Sequence, residues 1–335
     1  MKSKGNSVTA DRKVLLKQLL ITGLRASKQA GHAILSVYNT PFDVEYKQDE
    51  SPLTLADKRS HDIIKKELEA NFPDVPILSE EGRDVPYAER KKWKYSWLVD
   101  PLDGTKEFVK RNGEFAVNIA LLDKNRPVLG IIYIPVLDVI YYSLEDTGSF
   151  KLGTGQLETG SLKPHTTQTL REPLNSSVES SARASAILDR LFENKIDIND
   201  YESVYDDLSA CSTRLSVAEK IENGGKSSLT VIVSRSHMTG ETEQFLDKLR
   251  QRFKTVNRVS LGSSLKLCAI AEGSADVYPR FAPTMEWDTA AGQAVIEQAG
   301  GYFSQAGTDR LFEYNRKNLV NPWFVAAGDM EYIQV

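Results

Sequence analysis

The chain has 335 residues, of which 41% are hydrophobic and 26% are charged, and its formal net charge is −4. This composition is typical of a globular protein and excludes disorder over most of the length. An acidic chain without long runs of Lys or Arg repels polyanions, which argues against a nucleic-acid coat protein and against a membrane-surface binder. Taken alone, the same charge also argues against a small phosphorylated ligand.

The cysteine content and the N-terminus indicate the compartment. Cys211 and Cys268 are the only cysteines, which is too few for a disulfide framework or a Cys-rich zinc site. Residues 1–13 are polar, and no stretch approaches the 18 consecutive apolar residues of a membrane span. We therefore predict a cytoplasmic protein with neither a nucleic-acid partner nor a membrane partner.

The first half of the chain predicts two helices followed by a sheet. Apolar residues at helical spacing predict a helix over residues 11–38, with Asp11 as its cap, and a second helix over residues 57–71 that Pro73 ends. Five strand-like runs follow, at residues 75–78, 96–99, 115–122, 128–134 and 139–144. Several of the turns between them are too short for a crossover helix, so this sheet is predicted to be at least partly antiparallel.

The pattern weakens from about residue 152 to residue 226 and then returns as alternating helices and strands. Strands are predicted at residues 229–233, near Asp276 and at residues 323–326, and helices at residues 241–252, 264–272 and 289–299. This alternation predicts a layered α/β arrangement, and the whole chain an α+β or layered α/β fold. We predict an N-terminal domain over residues 1–160, an insertion or junction over residues 161–227 and a C-terminal domain over residues 228–335.

The strongest local motif is Asp100-Pro101-Leu102-Asp103-Gly104-Thr105, which directly follows an apolar strand. Pro101 and Gly104 force a turn, and that turn aims the Asp103 carboxylate, the Leu102 carbonyl and the Thr105 hydroxyl towards one point. Hard oxygen ligands of this kind are what Mg²⁺ prefers. An ordinary surface turn remains the alternative for the hexapeptide taken alone.

Three further acidic elements stand at strand ends or helix starts. Glu80 and Glu81 follow an apolar strand, where alternation predicts that Glu80 faces the site and Glu81 faces away. Asp57 and Asp288 each stand at the start of a predicted helix, where capping alone would also explain them. Because all of these elements supply oxygen ligands, their combination favours a metal site over independent coincidence.

The motifs resemble those of a known superfamily. Ser79-Glu80-Glu81, the hexapeptide from Asp100 to Thr105 and Trp287-Asp288-Thr289-Ala290-Ala291 are similar, in order and separation, to the three signatures of the lithium-sensitive, Mg²⁺-dependent phosphatases that include inositol monophosphatases and fructose-1,6-bisphosphatases. Residues 105–115 and 278–288 more closely resemble the 3'(2'),5'-bisphosphate nucleotidases of the CysQ type. The resemblance covers roughly residues 15–160 and 228–327, and it implies an αβαβα sandwich.

The resemblance also implies two to three bound Mg²⁺ ions. One metal ion would be held by Glu80, Asp100 and the carbonyl of Leu102. A second would be held by Asp100, Asp103 and Asp288. Bound metal ions would reverse the local charge of this acidic pocket, so the net charge of the chain no longer argues against a phosphorylated ligand.

The implied reaction is direct attack of a metal-activated water on phosphorus, without a phosphoenzyme. Asp57 and Thr105 match the pair that orients this water, near a third and weaker metal position that Asp57 and Glu80 border. Gly104 and Thr105 would offer backbone N–H groups to the phosphate at the start of a helix.

The resemblance further implies nucleotide contacts at residues 234–237, at residues 263–266 and at Arg280, which lie where the bisphosphate nucleotidases contact the base, the ribose and the second phosphate. Ser263, Lys266 and Arg280 are expected to contact phosphate or ribose, Asp288 to contact the substrate as well as a metal, and His237 to lie near the adenosine. His237 is equally well explained as an ordinary polar residue.

The implied activity is removal of the 3'-phosphate from adenosine 3',5'-bisphosphate. The sulfated form of this nucleotide is a further candidate substrate. Two alternatives stay open: an inositol polyphosphate 1-phosphatase, and a catalytically silent relative that senses a nucleotide or an inositol phosphate. The insertion leaves the size selectivity open, and the sequence leaves the oligomeric state open.

Overall fold

The computed structural model describes residues 3–46, 52–153, 183, 186–187, 189–190, 201–217, 228–234, 239–308, 310 and 312–334. None of the helices in these ranges combines the length and the apolar character that a membrane crossing requires.

Two helices, α1 (Ser3–Tyr38) and α2 (Leu55–Asn71), pack together and form the first layer. The apolar spacing that predicted α1 buries Leu20 and Leu24 against the sheet beneath. The predicted helix over residues 11–38 is confirmed, but it begins at Ser3, so Asp11 lies inside the helix and is not its cap. The second helix begins at Leu55 because the capping residue is Thr54.

A seven-stranded sheet forms the second layer. Its strands, in spatial order, are β3 (Ile77–Ser79), β4 (Tyr95–Asp103), β5 (Ala116–Asp123), β6 (Arg126–Ile134), β7 (Val139–Leu144), β8 (Gly148–Gly153) and β9 (Thr213–Leu215). β3 and β4 are parallel, and all other neighbours in this sheet are antiparallel, which confirms the partly antiparallel prediction. The short elements of this half are β1 (Val44–Tyr46), β2 (Pro52–Thr54), α3 (Tyr87–Arg90) and α4 (Thr105–Val109).

Part of the predicted insertion belongs to these first two layers. Helix α5 (Tyr201–Cys211) packs against α1, and β9 extends the edge of the seven-stranded sheet. The domain boundaries near residues 160 and 227 stay a prediction.

The second half supplies the remaining layers. A five-stranded sheet has the order β11 (Thr255–Ser260), β10 (Ser228–Val233), β12 (Val277–Arg280), β14 (Phe324–Ala327) and β13 (Tyr302–Gln305). Helices α7 (Leu265–Ala271) and α8 (Ala290–Gln298) lie between the two sheets, and α6 (Gly240–Arg252) packs on the outer face of the second sheet. The order helix, sheet, helix, sheet, helix confirms the predicted αβαβα sandwich.

Close packing between layers fixes the position of α8. At Gly130, in the middle of β6, a Cβ atom would overlap the carbonyl oxygen of Ala291 and lie 2.9 Å from the Cβ of Ala294. Only glycine therefore allows the strand and the helix to approach this closely. The segment that precedes α8, which carries Asp288, is held at a set distance from the first sheet.

Candidate active site

The first acidic residue of the site, Asp57, lies in the first turn of α2. The backbone N–H and the hydroxyl of Thr54 donate to Asp57 Oδ2 at 2.7 and 2.6 Å, and the hydroxyl of Thr105 donates to Asp57 Oδ1 at 3.1 Å. The carboxylate thus completes a capping box with Thr54 and at the same time contacts Thr105 of the predicted motif. Burial raises the pKa of Asp57, although the Thr54 hydrogen bonds oppose this shift.

The turn after β4 brings the predicted motif together. The register of β4 against β5 shifts between Asp100 and Asp103, and the N–H of Leu102 donates to Asp100 Oδ1 at 3.0 Å. The Leu102 carbonyl accepts from the Thr105 hydroxyl at 3.2 Å. Gly104 has a φ of 92°, and a Cβ atom there would lie 3.0 Å from the carbonyl oxygen of Glu114. The chain can therefore enter α4 at Thr105 only because residue 104 is glycine.

Two serines and an asparagine hold the carboxylate of Asp103. Ser263 and Ser264 donate their hydroxyls to Asp103 Oδ2 at 2.7 and 2.6 Å, and Asn118 donates its side-chain N–H to the same oxygen at 3.3 Å. Asn118 also donates to the Ser264 hydroxyl at 2.8 Å. Ser263 and Ser264, which belong to a segment predicted to contact the nucleotide, here bond a predicted metal ligand, and the sequence reasoning missed Asn118.

Asp288 ends a short 3₁₀ helix, Glu286–Asp288, and its Oδ2 accepts from the N–H of Met285 at 2.9 Å. The prediction that Asp288 caps or begins the following helix is wrong, because α8 begins at Ala290 and residue 289 occupies its N-cap position. Burial, followed by the repulsion of Asp103, raises the pKa of Asp288 to about 8.

The carboxylates of the site act on one another electrostatically. Asp100 is 2% exposed, and burial, followed by repulsion from Glu80, Asp103 and Asp288, raises its pKa well above the ordinary value. The N–H of Glu80 donates to the carbonyl of Val99 at 3.1 Å, which ties the end of β3 to β4.

Glu81 acts on the acidic cluster electrostatically. Burial is the main cause of the raised pKa of Asp57, and repulsion from Glu81 adds to it. Both members of the Glu80-Glu81 pair therefore add negative charge to the acidic cluster. The expected alternation, with Glu80 facing the site and Glu81 facing away, stays a prediction.

The donor chemistry of this cluster fits a hard cation, since buried carboxylates that repel one another are stabilised by an ion between them. As the side chains stand, no three carboxylate, imidazole or thiol groups of the described residues converge closely enough to hold one ion. The hydrogen bonds explain this spread, because Thr54 holds one oxygen of Asp57 and the two serines hold one oxygen of Asp103. Asp103 Oδ1 is left for a ligand outside these bonds, whereas Asp57 Oδ1 already accepts from the Thr105 hydroxyl.

A cavity of about 160 Å³ adjoins the acidic cluster, and Asp103 and Asp288 are among the residues that line it. Lys266 and Arg280 lie on the same cavity. Burial lowers the pKa of Lys266, whereas Asp103 raises it, and its Nζ lies 3.5 Å from the carbonyl of Leu261. Arg280 donates from Nη2 to the carbonyl of Pro283 at 3.0 Å, while its Nε is buried without a hydrogen-bond partner among the described residues.

Other cavity residues were missed or lie outside the described ranges. Lys106 and Glu107 line the cavity and were not predicted as site residues, whereas Ser234, which also lines it, belongs to the segment 234–237 that was expected near the nucleotide. Burial raises the pKa of Glu107, and the neighbouring Lys266 opposes this shift. His237 lies outside the described residues, so its predicted place near the adenosine stays a prediction.

Comparison with known proteins identifies the family. The model of the inositol monophosphatase family matches residues 15–218 and 206–332. The chain therefore belongs to the inositol monophosphatase family, as the three acidic signatures and the αβαβα sandwich indicate.

Within this family the chain is similar to CysQ proteins. It is 37% identical over 301 residues to the 3'(2'),5'-bisphosphate nucleotidase CysQ of Salmonella typhimurium and to that of Escherichia coli K12, over 89% of this chain and 95% of each relative. The crystal structure of CysQ from Bacteroides thetaiotaomicron, a bacterial member of the family, is 36% identical, covers 93% of this chain and 98% of its own, and superposes with a TM-score of 0.69. The resemblance found in the sequence is confirmed.

Proposed function

We propose that the protein is a metal-dependent 3'(2'),5'-bisphosphate nucleotidase that removes the 3'-phosphate of adenosine 3',5'-bisphosphate and releases AMP and phosphate. The observation that carries this proposal is the charge pattern of one cavity. The carboxylates of Asp103 and Asp288 and the cations Lys266 and Arg280 all line it. A substrate with two phosphates fits this pattern, one phosphate beside the carboxylates and their metal ions and the other beside the cations. The names of the CysQ relatives support the same activity.

The carboxylate cluster is proposed to hold two to three Mg²⁺ ions. Glu80, Asp100 and the Leu102 carbonyl would hold one, and Asp100, Asp103 and Asp288 another. Bound Mg²⁺ would supply a Lewis acid that lowers the pKa of water and neutralises phosphate charge. Burial, followed by repulsion from Glu80, Asp103 and Asp288, raises the pKa of Asp100, and a bound cation would offset both effects, which supports this assignment.

Asp57 and Thr105 are proposed to orient and deprotonate the attacking water. The Thr105 hydroxyl is within hydrogen-bond reach of both Asp57 Oδ1 and the Leu102 carbonyl, at 3.1 and 3.2 Å. Either bond uses the hydroxyl proton of Thr105 and leaves its oxygen able to accept a hydrogen bond from a water molecule. A carboxylate whose pKa is raised by burial is a better proton acceptor than an exposed one, and Asp57 has this property.

The remaining residues are proposed to bind the substrate. Gly104 and Thr105 present backbone N–H groups at the turn into α4. The unpartnered Nε of Arg280 is a donor for the second phosphate, and the buried ammonium of Lys266 supplies further positive charge. Ser263 is proposed to reach the substrate from its place beside Asp103.

Phosphate release from three substrates tests the proposal. Adenosine 3',5'-bisphosphate, inositol 1,4-bisphosphate and fructose 1,6-bisphosphate are compared in parallel, each with Mg²⁺ and with chelator, and with Asp288→Asn as the inactive control. We expect the nucleotide to have the highest kcat/KM and chelator to abolish turnover. A preference for inositol 1,4-bisphosphate would replace the proposal by the inositol phosphatase alternative, and no turnover of any substrate would favour a silent binding protein.

We further propose a cytoplasmic location. Both cysteines are free thiols, and burial raises the pKa of Cys268 well above its ordinary value, which keeps this thiol protonated. Such thiols suit a reducing compartment.

A further inference from the structure

A second cleft lies at the opposite end of β4 from the acidic cluster, and its volume is about 400 Å³. Lys94, on the cleft, directly precedes β4, whereas Asp100 follows six residues later in the strand. At about 3.3 Å per residue, the two positions are roughly 20 Å apart along the strand. The cleft is therefore separate from the proposed active site.

Three chain segments build the cleft: residues 87–94, the turn at residues 124–125, and residues 313–316. Backbone hydrogen bonds tie these segments together. Lys124 N–H donates to the carbonyl of Lys94 at 2.6 Å, and Tyr314 N–H donates to the carbonyl of Asn125 at 3.0 Å. The cleft is thus preformed, which lowers the entropic cost of binding a ligand.

Buried contacts fix the third segment from behind. Arg90, which is 3% exposed, donates from Nη1 to Asn315 Oδ1 at 2.7 Å, and the amide of Asn315 donates back to the Arg90 carbonyl at 2.8 Å. Arg316 Nε donates to the fully buried Glu286 at 3.0 Å. The wall that carries Arg316 is therefore rigid.

The lining is strongly cationic although the whole chain is acidic. Its charged residues comprise five cations and one acid, namely Lys91, Lys92, Lys94, Lys124, Arg316 and Glu313. None of the four lysines forms an ion pair with a carboxylate in the part of the chain that the structure describes. Since Arg316 is neutralised by Glu286, the four lysines against Glu313 leave a clear excess of positive charge facing the cleft.

We propose that this cleft is a second binding site, specific for a small molecule that bears phosphate or sulfate groups. Unpaired ammonium groups on a concave surface repel one another, and a multiply charged anion between them relieves that repulsion. The volume lies in the range of small-molecule pockets, which favours a small ligand over a polymer. Tyr87 and Trp93 line the same cleft, and aromatic side chains can pack against the base of a nucleoside, so the anion is either inorganic or part of a nucleotide.

Fluorescence of Trp93 provides a local measurement. The full-length protein is titrated with pyrophosphate in the presence of chelator, so that the proposed reaction does not take place. We expect a saturable change in tryptophan fluorescence that disappears in the Trp93→Phe variant. Absence of a saturable change, or persistence of the whole change in Trp93→Phe, would show that the cleft does not bind the anion.

Matched double variants distinguish binding of the anion in the cleft from a nonspecific effect of the protein's net charge. In Lys92→Gln/Lys124→Gln we expect the affinity for pyrophosphate to fall by about tenfold or more, since charged hydrogen bonds are lost. The control Lys66→Gln/Lys254→Gln removes the same charge from exposed lysines elsewhere, and it should bind within about twofold of the unmodified protein. Equal losses in the two double variants would overturn the proposal, as would loss of binding in Lys266→Met, which would place the anion in the active-site cavity.

A second titration with adenosine diphosphate distinguishes the two sources of phosphate. Tighter binding than pyrophosphate, lost in Tyr87→Ala, would identify a nucleotide as the ligand class. Equal affinity for both probes, with both weakened in Lys92→Gln/Lys124→Gln, would identify an inorganic or simple organic anion. Both results support the cleft as a site, and neither depends on the proposed activity.

Discussion

The acidic and the cationic residues of the candidate active site differ in charge and, apart from Asp288, in the half of the chain from which they come. Asp100 and Asp103 come from the first sheet, whereas Lys266 and Arg280 come from the helix and strand of the second half of the chain. Burial raises the pKa of Asp100 and lowers the pKa of Lys266, so each side is unfavourable to its own charge. Such a cavity is stabilised by a ligand that brings cations to one side and an anionic group to the other, and the proposed metal ions and bisphosphate satisfy both needs.

Loss of one charge on the acidic side has the largest expected effect. Asp100→Asn keeps the size of the side chain but removes a proposed ligand of both metal ions. Since loss of an outer hydrogen-bond partner alone costs about 10–100-fold at metal sites, we expect phosphate release to fall by more than about 100-fold. The measurement is phosphate release under saturating Mg²⁺, with circular dichroism to confirm that the fold is intact. Near-normal turnover in Asp100→Asn or in Asp288→Asn would remove the metal assignment.

Loss of charge on the cationic side should act on substrate binding instead. Lys266→Met keeps much of the volume of this buried side chain, and we expect KM for adenosine 3',5'-bisphosphate to rise by about tenfold because a charged contact is lost. KM for a small inositol monophosphate, which lacks the second phosphate, should change much less. The exposed Lys254→Met serves as the control. Equal changes for the two substrates would remove Lys266 from the nucleotide site.

Ser264 offers a smaller test, because it acts through Asp103. Ser264→Ala removes a donor to Asp103 Oδ2 and also the acceptor of Asn118, whereas Ser263→Ala removes only the donor. We expect the affinity for Mg²⁺, measured by calorimetry, to fall by about tenfold in Ser264→Ala and by less in Ser263→Ala. Unchanged Mg²⁺ affinity in Ser264→Ala would show that Asp103 needs no such support.

The acidic side also predicts a pH dependence of stability in the metal-free protein. The pKa of Asp288 is raised by burial to about 8 from an ordinary value of 3.8. The folded state therefore binds this proton more tightly than the unfolded state, and the stability it contributes is lost as pH rises through about 8. We expect Tm with chelator to fall by a few degrees between about pH 6 and about pH 9. A pH dependence equally steep in Asp288→Asn would assign the effect to other groups.

The sequence predicted the parts of the site that lie within one turn of the chain. The motif from Asp100 to Thr105 is local, so its turn residues suffice to predict that Asp103, the Leu102 carbonyl and Thr105 converge. The contact between Asn118 and Ser264 joins residues 146 positions apart, and neither local segment predicts it. Contacts of this kind arise only when the layers pack.

Among the elements, polar strands were the hardest to predict. β11, at the edge of the second sheet, has the sequence Thr-Val-Asn-Arg-Val-Ser and was missed because its residues are mostly exposed or half-buried. Asp11 was mistaken for a cap because a polar segment precedes the apolar spacing, although the helix continues back to Ser3. The spacing of apolar residues predicts which part of a helix is buried. It does not predict where an exposed, polar end of the helix begins.

Gly130 has a consequence for attempts to change the substrate range. Because its missing side chain allows β6 and α8 to approach closely, any side chain at position 130 would push apart the layer that carries Asp100 and the helix that follows Asp288. An engineer who wishes to admit a bulkier phosphate ester should therefore vary the residues around Lys106 and Ser234 and leave the interlayer glycine alone. In this architecture the packing of the layers sets the distances within the catalytic centre, whereas residues at the edge of the cavity can vary and so change substrate selectivity.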